Sequence, residues 1–336
     1  MPKLINFSRI FPNRMWFWIP LFFLILALGL WSAGAVFYTF HWSGLATASF
    51  SIAFLLSWLV ALKKKRFLII PIVIELLVLL FFAAMTPKRV FADTVWQTPW
   101  GREPQVEYIG NRVIVHNVRD FRYRSVDDYD VRYIDFEFSP RTVRSVDIAV
   151  SHWDGIRAIA HTMLSFGFED GRFLALSMET RLPQGVEQSF LQGFYRQYEI
   201  LMVLATEEDL FKLRTDFRHE DLYLYRTNAT PEQALKLLDY IILRVNTLSK
   251  NPEFYNSVTR NCTTSLSPLL RVINPSFTGD LRLLFNGFSD ELLFELGYLR
   301  HHEGETFDEL KRRRLADQYA KLTSDLPYSQ LIRTDL

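Results

Sequence analysis

Three apolar runs in the first quarter of the chain constrain its fold more than anything that follows. Residues 15–40 and 42–62 contain no charged side chain, and residues 67–85 contain one, Glu75. Each run is close to the roughly 20 residues that span a bilayer core about 30 Å thick. The first is too long for the apolar core of a signal peptide, and no small-residue cleavage pattern follows it. The sequence predicts three transmembrane helices within a membrane domain of residues 1–86. Glu75 reads either as a functional polar site or as a protonated or helix-paired carboxyl in the bundle, and it is assigned no role.

The basic residues orient these helices. Lys63, Lys64, Lys65 and Arg66 fill the link between the second and third runs, and Lys3, Arg9 and Arg14 precede the first. The link around residues 40–43 has no Lys or Arg, so the excess of positive charge puts the N-terminus and the second link in the cytoplasm. Lys88 and Arg89 oppose this weakly from the other side. Everything from about residue 86 onward is then expected outside the cytoplasm, which in a bacterial inner membrane means the periplasm.

Residues 87–110 read as a connector rich in Pro, Trp and polar side chains, and residues 111–336 as one domain large enough for its own core. The formal charge of the whole chain is +1, so no basic face for nucleic acid is expected. Alternating or β-branched stretches predict strands at 112–118, 131–138 and 145–151. Residues 159–168 and 172–181 predict a hairpin turned at Glu169-Asp170-Gly171. Further strands are expected at 198–205, 211–214 and 222–226. A long helix follows, with Thr230 as its cap, Pro231 at its first position and a stripe from Ala234 to Leu248. Residues 305–322 read as an amphipathic closing helix. The fold class is three membrane helices followed by an α+β domain with an antiparallel sheet.

Cys262 is the only cysteine among the 336 residues. It stands where a polar loop runs into the helical spacing of Leu266, Leu269, Leu270 and Ile273, flanked by Asn261, Thr263 and Thr264. Unpaired backbone N–H groups and the positive end of the helix dipole favour a thiolate at that place. A single thiol outside the cytoplasm has no partner within the chain for a disulfide. Both arguments point to a nucleophile.

A thiol nucleophile needs a base within hydrogen-bond reach. His41 falls in a membrane link, His116 in an early strand, His219 among charges, and His301 and His302 in a charged turn. His152 and His161 are the candidates that remain. Across the predicted hairpin, Ser177, Glu179 and Arg181 share one strand face and place a polar row beside His161, as the third member of a triad requires. His301, His302 and Glu303 are adjacent and lack metal-ligand spacing, so neither metal nor cofactor is expected.

Several short motifs stand in a defined order: Ala160-His161-Thr162, Ser177-x-Glu179-x-Arg181, Gly193-Phe194-x-x-Gln197-Tyr198-Glu199, Leu213-Arg214-Thr215, Tyr223-Leu224-Tyr225-Arg226, and Phe254-Tyr255-Asn256 leading to Asn261-Cys262-Thr263-Thr264. Over about residues 110–275 the chain resembles the periplasmic domain at the N-terminus of Lnb, a bacterial enzyme that makes lyso-form lipoproteins. That family resembles the circularly permuted papain-like group, in which the histidine strand precedes the cysteine helix. The resemblance implies Cys262 as nucleophile and His161 as its base. For the third residue, Glu179 or Ser177 are the candidates, with Arg181 and Asn261 in support. Lnb carries its other membrane segments after this domain, whereas here the apolar runs precede it.

The chain is therefore expected to be a membrane-anchored, periplasmic cysteine acyltransferase or hydrolase that forms a thioester, acting on lipid or lipoprotein acyl groups. A cell-wall peptidase or amidase of the papain-like group is the enzymatic alternative. An envelope scaffold with an inert Cys262 is the non-enzymatic one.

Overall fold

The computed structural model describes residues 15–40, 44–64, 69–153, 155–283, 286–320 and 325–334. The chain divides into two compact units, Met1–Val90 and Phe91–Leu336.

In the first unit, helices α1 (Met15–Phe40), α2 (Gly44–Lys63) and α3 (Ile69–Ala84) follow the three apolar runs. Two of them contain spans long and apolar enough to cross a membrane, Phe22–Thr39 and Gly44–Ala61, each with a mean hydropathy of 1.8. Helix α3 has 16 residues, a length of about 24 Å at about 1.5 Å per residue. The expectation of three spans is thus met for two. Residues 42–43 and 67–68 of the expected runs, and Lys3, Arg9, Arg14, Lys65 and Arg66 of the basic segments, lie outside the described residues. Glu75 is buried on α3, where Ser32 of α1 donates to its Oε2 at 2.8 Å.

The second unit is built on an eight-stranded sheet. Its strands are β1 (Gln105–Ile109), β2 (Arg112–Arg119), β5 (Tyr133–Phe138), β6 (Val143–His152), β7 (Ala160–Phe168), β8 (Phe173–Arg181), β9 (Glu199–Ala205) and β10 (Asp221–Arg226), with β3 (Arg122–Tyr123) and β4 (Tyr129–Asp130) forming a separate ribbon. The order is β1-β2-β9-β8-β7-β6-β10, with β5 on β2. The β7–β8 hairpin forms as expected, and Gly171 in its turn takes φ +81°, a conformation that suits glycine. The sheet is mixed and not wholly antiparallel: β2 meets β9 in parallel at Arg119↔Ala205. β1 lies within the stretch read as connector.

Two expectations after β9 change. Residues 211–214 are helical: Glu207–Lys212 (α4) runs into a π-helical turn, Leu213–Phe217. Thr206 caps α4 by accepting from the Asp209 N–H, and Glu207, Glu208 and Asp209 complement the dipole at its start. The closing helix is broken into Phe307–Arg313 and Ala316–Ala320, and residues 321–324 lie outside the described residues.

The sheet is buried on both faces. Ala160, Leu164 and Phe166 of β7 face the long helix α5 (Pro231–Lys250), where Thr230 and Gln233 form the capping box that the sequence signals at Thr230-Pro231. Helix α6 (Cys262–Ile273) adds Leu269 to the same core. Met163 and Ala175 point the other way, towards Leu210 and Phe211 of α4.

Candidate active site

Strand period and register assemble the first part of the site. His161 and Met163 share a face of β7, and Met163 pairs with Ser177 on β8. Ser177 and Glu179 therefore stand on the face that carries His161. The Ser177 hydroxyl donates to Glu179 Oε1 at 2.5 Å and lies 2.6 Å from His161 Nε2. A hydroxyl has one proton to give. With that proton directed at the carboxylate, Ser177 accepts from Nε2–H, and Nδ1 is the basic nitrogen of the ring. The carboxylate also attracts the ring directly, with Glu179 Oε1 at 3.6 Å from Nε2.

Arg214, on the π-helical turn, closes this chain of contacts from the covering layer. Its Nη2 is 3.5 Å from Glu179 Oε1 and its Nε is 3.6 Å from Glu220 Oε2, while Ser151 donates to the same Glu220 oxygen at 2.6 Å. Burial opposes the charge on Glu179. His161, Arg214 and the Ser177 hydrogen bond outweigh it and hold the carboxyl well below its ordinary value. An ionised Glu179 is what orients and stabilises an imidazolium in a triad.

Arg181 does not join His161. Its Nε donates to the Trp100 carbonyl at 3.0 Å, its guanidinium covers the Trp96 ring, and its Nη1 pairs with Glu103 and, at 3.7 Å, with Glu199. It ties the segment before β1 to the end of β8.

Asn261 is the cap of α6. Its Oδ1 accepts from the Thr264 N–H at 2.9 Å, and its own N–H donates to Thr264 Oγ1 at 2.8 Å. This reciprocal pair fixes the first turn and makes Cys262 the first helical residue, whose N–H has no partner within the helix. The side chain of Cys262 lies outside the described part of the structure. The segment that leads to it is held at one end of the sheet. Glu253 O accepts from Ile200 N–H at 2.9 Å, and Tyr255 N–H donates to Tyr198 O at 3.0 Å, beside the start of β9. His161 is the second residue of β7 and sits at that same end, because β7 and β9 both run antiparallel to β8. The body of α6 nevertheless rests on the face of Ala160 and Leu164, opposite the face of His161.

His152, the other candidate base, is committed elsewhere. Lys311 Nζ stands 3.2 Å from its Nε2 and 2.9 Å from Asp290 Oδ2. Burial, and then the Lys311 charge, push the His152 pKa down. An ammonium directed at Nε2 occupies the lone pair that a base would need. Among the described residues no group of three or more His, Cys, Asp or Glu side chains is arranged to hold a metal ion.

Sequence reasoning gave no role to Arg214, Glu220 or Ser151. Reading residues 211–214 as a strand concealed that Arg214 lies over Glu179. The signal was available in Thr206-Glu207-Glu208-Asp209, a helix start directly after a buried strand.

Residues 129–287 match the family model of the Lnb N-terminal periplasmic domain, a span that contains His161, Ser177, Glu179, Arg214 and Cys262. Comparison with curated proteins and with solved structures gave no match.

Proposed function

Residues 129–287 match the family model of the Lnb N-terminal periplasmic domain, and from that match we propose that the protein is a membrane-anchored, periplasm-facing, cysteine-dependent acyltransferase or hydrolase. The observation that carries the reading is the hydrogen-bonded chain His161–Ser177–Glu179, at the sheet end where the capped Cys262 helix is anchored. In this reading α3 is the third span, and the domain after it faces the periplasm.

The chemistry divides into two displacements. The Cys262 thiol gives its proton to Nδ1 of His161, and the imidazolium is balanced by Glu179 through Ser177. The thiolate adds to an ester or amide carbonyl, and the Cys262 N–H donates to the resulting oxyanion, a contact worth about 3–4 kcal/mol in typical cases. Collapse breaks the carbonyl–leaving-group bond, the imidazolium returns its proton to the departing oxygen or nitrogen, and a thioester remains. An amine or water, deprotonated by the same imidazole, then attacks the thioester and releases the Cys262 thiolate. Tethering to membrane helices favours acyl groups of lipids or lipoproteins over soluble substrates.

The test is intact-mass analysis of the full chain in detergent after exposure to a diacylated lipopeptide. An acyl adduct on wild type that is absent from Cys262→Ser supports the reading. No adduct and no turnover of the lipopeptide would sink the lipid substrate, and turnover of muropeptides in its place would favour a cell-wall peptidase. Topology has its own check. A reporter fused after Leu336 should be active only in the periplasm, and one inserted between residues 63 and 67 only in the cytoplasm.

A further inference from the structure

A second feature of the His161 face is a polar cleft of about 840 Å³ whose lining includes Glu179 and Arg214. That size falls within the range of small-molecule sites. The thiol chemistry proposed above uses the inner oxygen of Glu179 and leaves the cleft unexplained.

The floor has hydrogen-bonding capacity to spare. A guanidinium carries five N–H donors, yet among the described residues Arg214 makes one close hydrogen bond, to the Leu210 carbonyl at 2.7 Å. Its Nε, which faces Glu220, and the indole Nε1 of Trp100 are sealed from solvent without a hydrogen-bond partner among the described residues, so neither reaches into the cleft. The contacts to Ser177, His161 and Arg214 all fall on Oε1 of Glu179. Among the described residues no hydrogen bond reaches Oε2. Arg214 Nη2 lies 3.5 Å from Glu179 Oε1, and both residues line the cleft, so a donor and an acceptor stand side by side there.

Its charge argues against an anion. Arg119 is neutralised by the buried Asp209, whose Oδ1 lies 2.7 Å from Nη2. Arg214 is shared between Glu179 and Glu220, and Arg218 approaches Glu220 at 3.7 Å. A phosphate or carboxylate would meet an ionised Glu179 with no uncompensated arginine to offset it. A hydroxyl meets no such penalty, since one hydroxyl accepts from Arg214 and donates to Glu179 at the same time. The remaining walls include Trp96, Trp100, Tyr123 and Tyr129. Aromatic faces are electron-rich and suit the C–H faces of a pyranose ring.

We propose that this cleft is a saccharide-binding site, with Glu179 and Arg214 holding ring hydroxyls and the tryptophans and tyrosines forming its platforms. A sugar-bearing lipid or a glycan strand would thereby be held against the back of the His161–Ser177–Glu179 chain. The ligand is uncharged where it meets the floor.

The test uses the full chain in detergent carrying Cys262→Ser, so that its outcome does not depend on the thiol. Intrinsic tryptophan fluorescence is titrated with chitotriose and with maltotriose, and separately with inorganic phosphate. A saturable change with at least one trisaccharide below about 10 mM, weakened at least tenfold by Tyr129→Ala at unchanged melting temperature, supports the site. Glu179→Gln, which keeps the shape and removes the charge, should also weaken the sugar. Absence of saturation with both trisaccharides overturns the proposal. So does sugar binding that Tyr129→Ala and Glu179→Gln both leave intact, or saturation by phosphate alone. A melting temperature lowered by Tyr129→Ala passes the decision to Glu179→Gln.

Discussion

Ser177 Oγ lies 2.6 Å from His161 Nε2, and the direction of that hydrogen bond follows from the carboxylate on the other side of the hydroxyl. Glu179 is held ionised and accepts the Ser177 proton, so the imidazole donates from Nε2 and keeps Nδ1 basic. The serine sets the tautomer through these two contacts.

Removing it should therefore slow the chemical step and leave binding alone. Ser177→Ala is expected to lower kcat on the order of 10²-fold, the lower end of what a positioned base contributes, with KM little changed. Ser177→Thr keeps the hydroxyl at a strand position and should restore part of the loss. Steady-state kinetics on a lipopeptide substrate checks both, and equal activity in Ser177→Ala would make the hydroxyl a packing feature.

Glu179 also links the site to acid stability. Its folded pKa lies well below the ordinary value of 4.5, with burial opposed by His161, Arg214 and Ser177. The unfolded chain therefore takes up a proton first as pH falls. The stabilisation is complete above about 4.5 and is lost as pH drops through the folded value. Melting temperatures of wild type between pH 6 and pH 3 should fall more steeply than those of Glu179→Gln. Parallel curves would mean that the ion pairs to Glu179 contribute nothing.

Glu199 has the opposite sign. Burial raises its pKa to about 7, with Arg181 opposing and Glu103 reinforcing the rise. Between about 4.5 and 7 the folded state holds the extra proton, so this group's contribution to stability declines as pH rises through that window. Glu199→Gln should gain on wild type from pH 5 to pH 8 in thermal unfolding. A constant difference across that range would count against the shift.

The order of elements was legible wherever a local rule decided it. The β7–β8 hairpin follows from alternation around a Gly turn, and α5 from Thr230-Pro231 and its apolar stripe. The polar row of Ser177 and Glu179 beside His161 followed from period two alone. What sequence could not supply was the partner layer. Arg181 and Arg214 are both arginines near Glu179, and only the tertiary fold sends Arg181 to Glu103 and Trp100 while bringing Arg214 to Glu179. Nor does periodicity say which sheet face receives α6, because Leu269, Leu270 and Ile273 suit either face equally.

The loop before Cys262 depends on one close approach. A Cβ on Gly193 would lie 2.4 Å from Ser257 Oγ and 3.1 Å from the Tyr255 ring. Ser257 Oγ itself donates to the Phe190 carbonyl at 2.7 Å, so relief requires the loop to move. Gly193→Ala should cost about 1–3 kcal/mol, as overpacking does. It should also slow Cys262 acylation more than it lowers stability. Unchanged acylation with an unchanged melting temperature would show that the loop yields freely.

The thiol tests the whole site most directly. Cys262 begins a capped helix, and first-turn N–H groups in general favour a thiolate with or without an imidazole. His161 adds to this if it serves as the base of the thiol. The two contributions separate by mutation. Wild-type alkylation by iodoacetamide should be half-maximal well below the ordinary thiol value of about 8.5. In His161→Ala the midpoint should move up but stay below that value, because the helix start is untouched. His152→Ala should leave it in place, because Lys311 already occupies that ring. Glu179→Gln should produce a smaller rise than His161→Ala, since it weakens the imidazolium without removing it. A midpoint that is low yet indifferent to His161 would assign the reactivity to the helix alone and leave the imidazole to the Arg214 network. A midpoint near 8.5 in every variant would end the nucleophile reading.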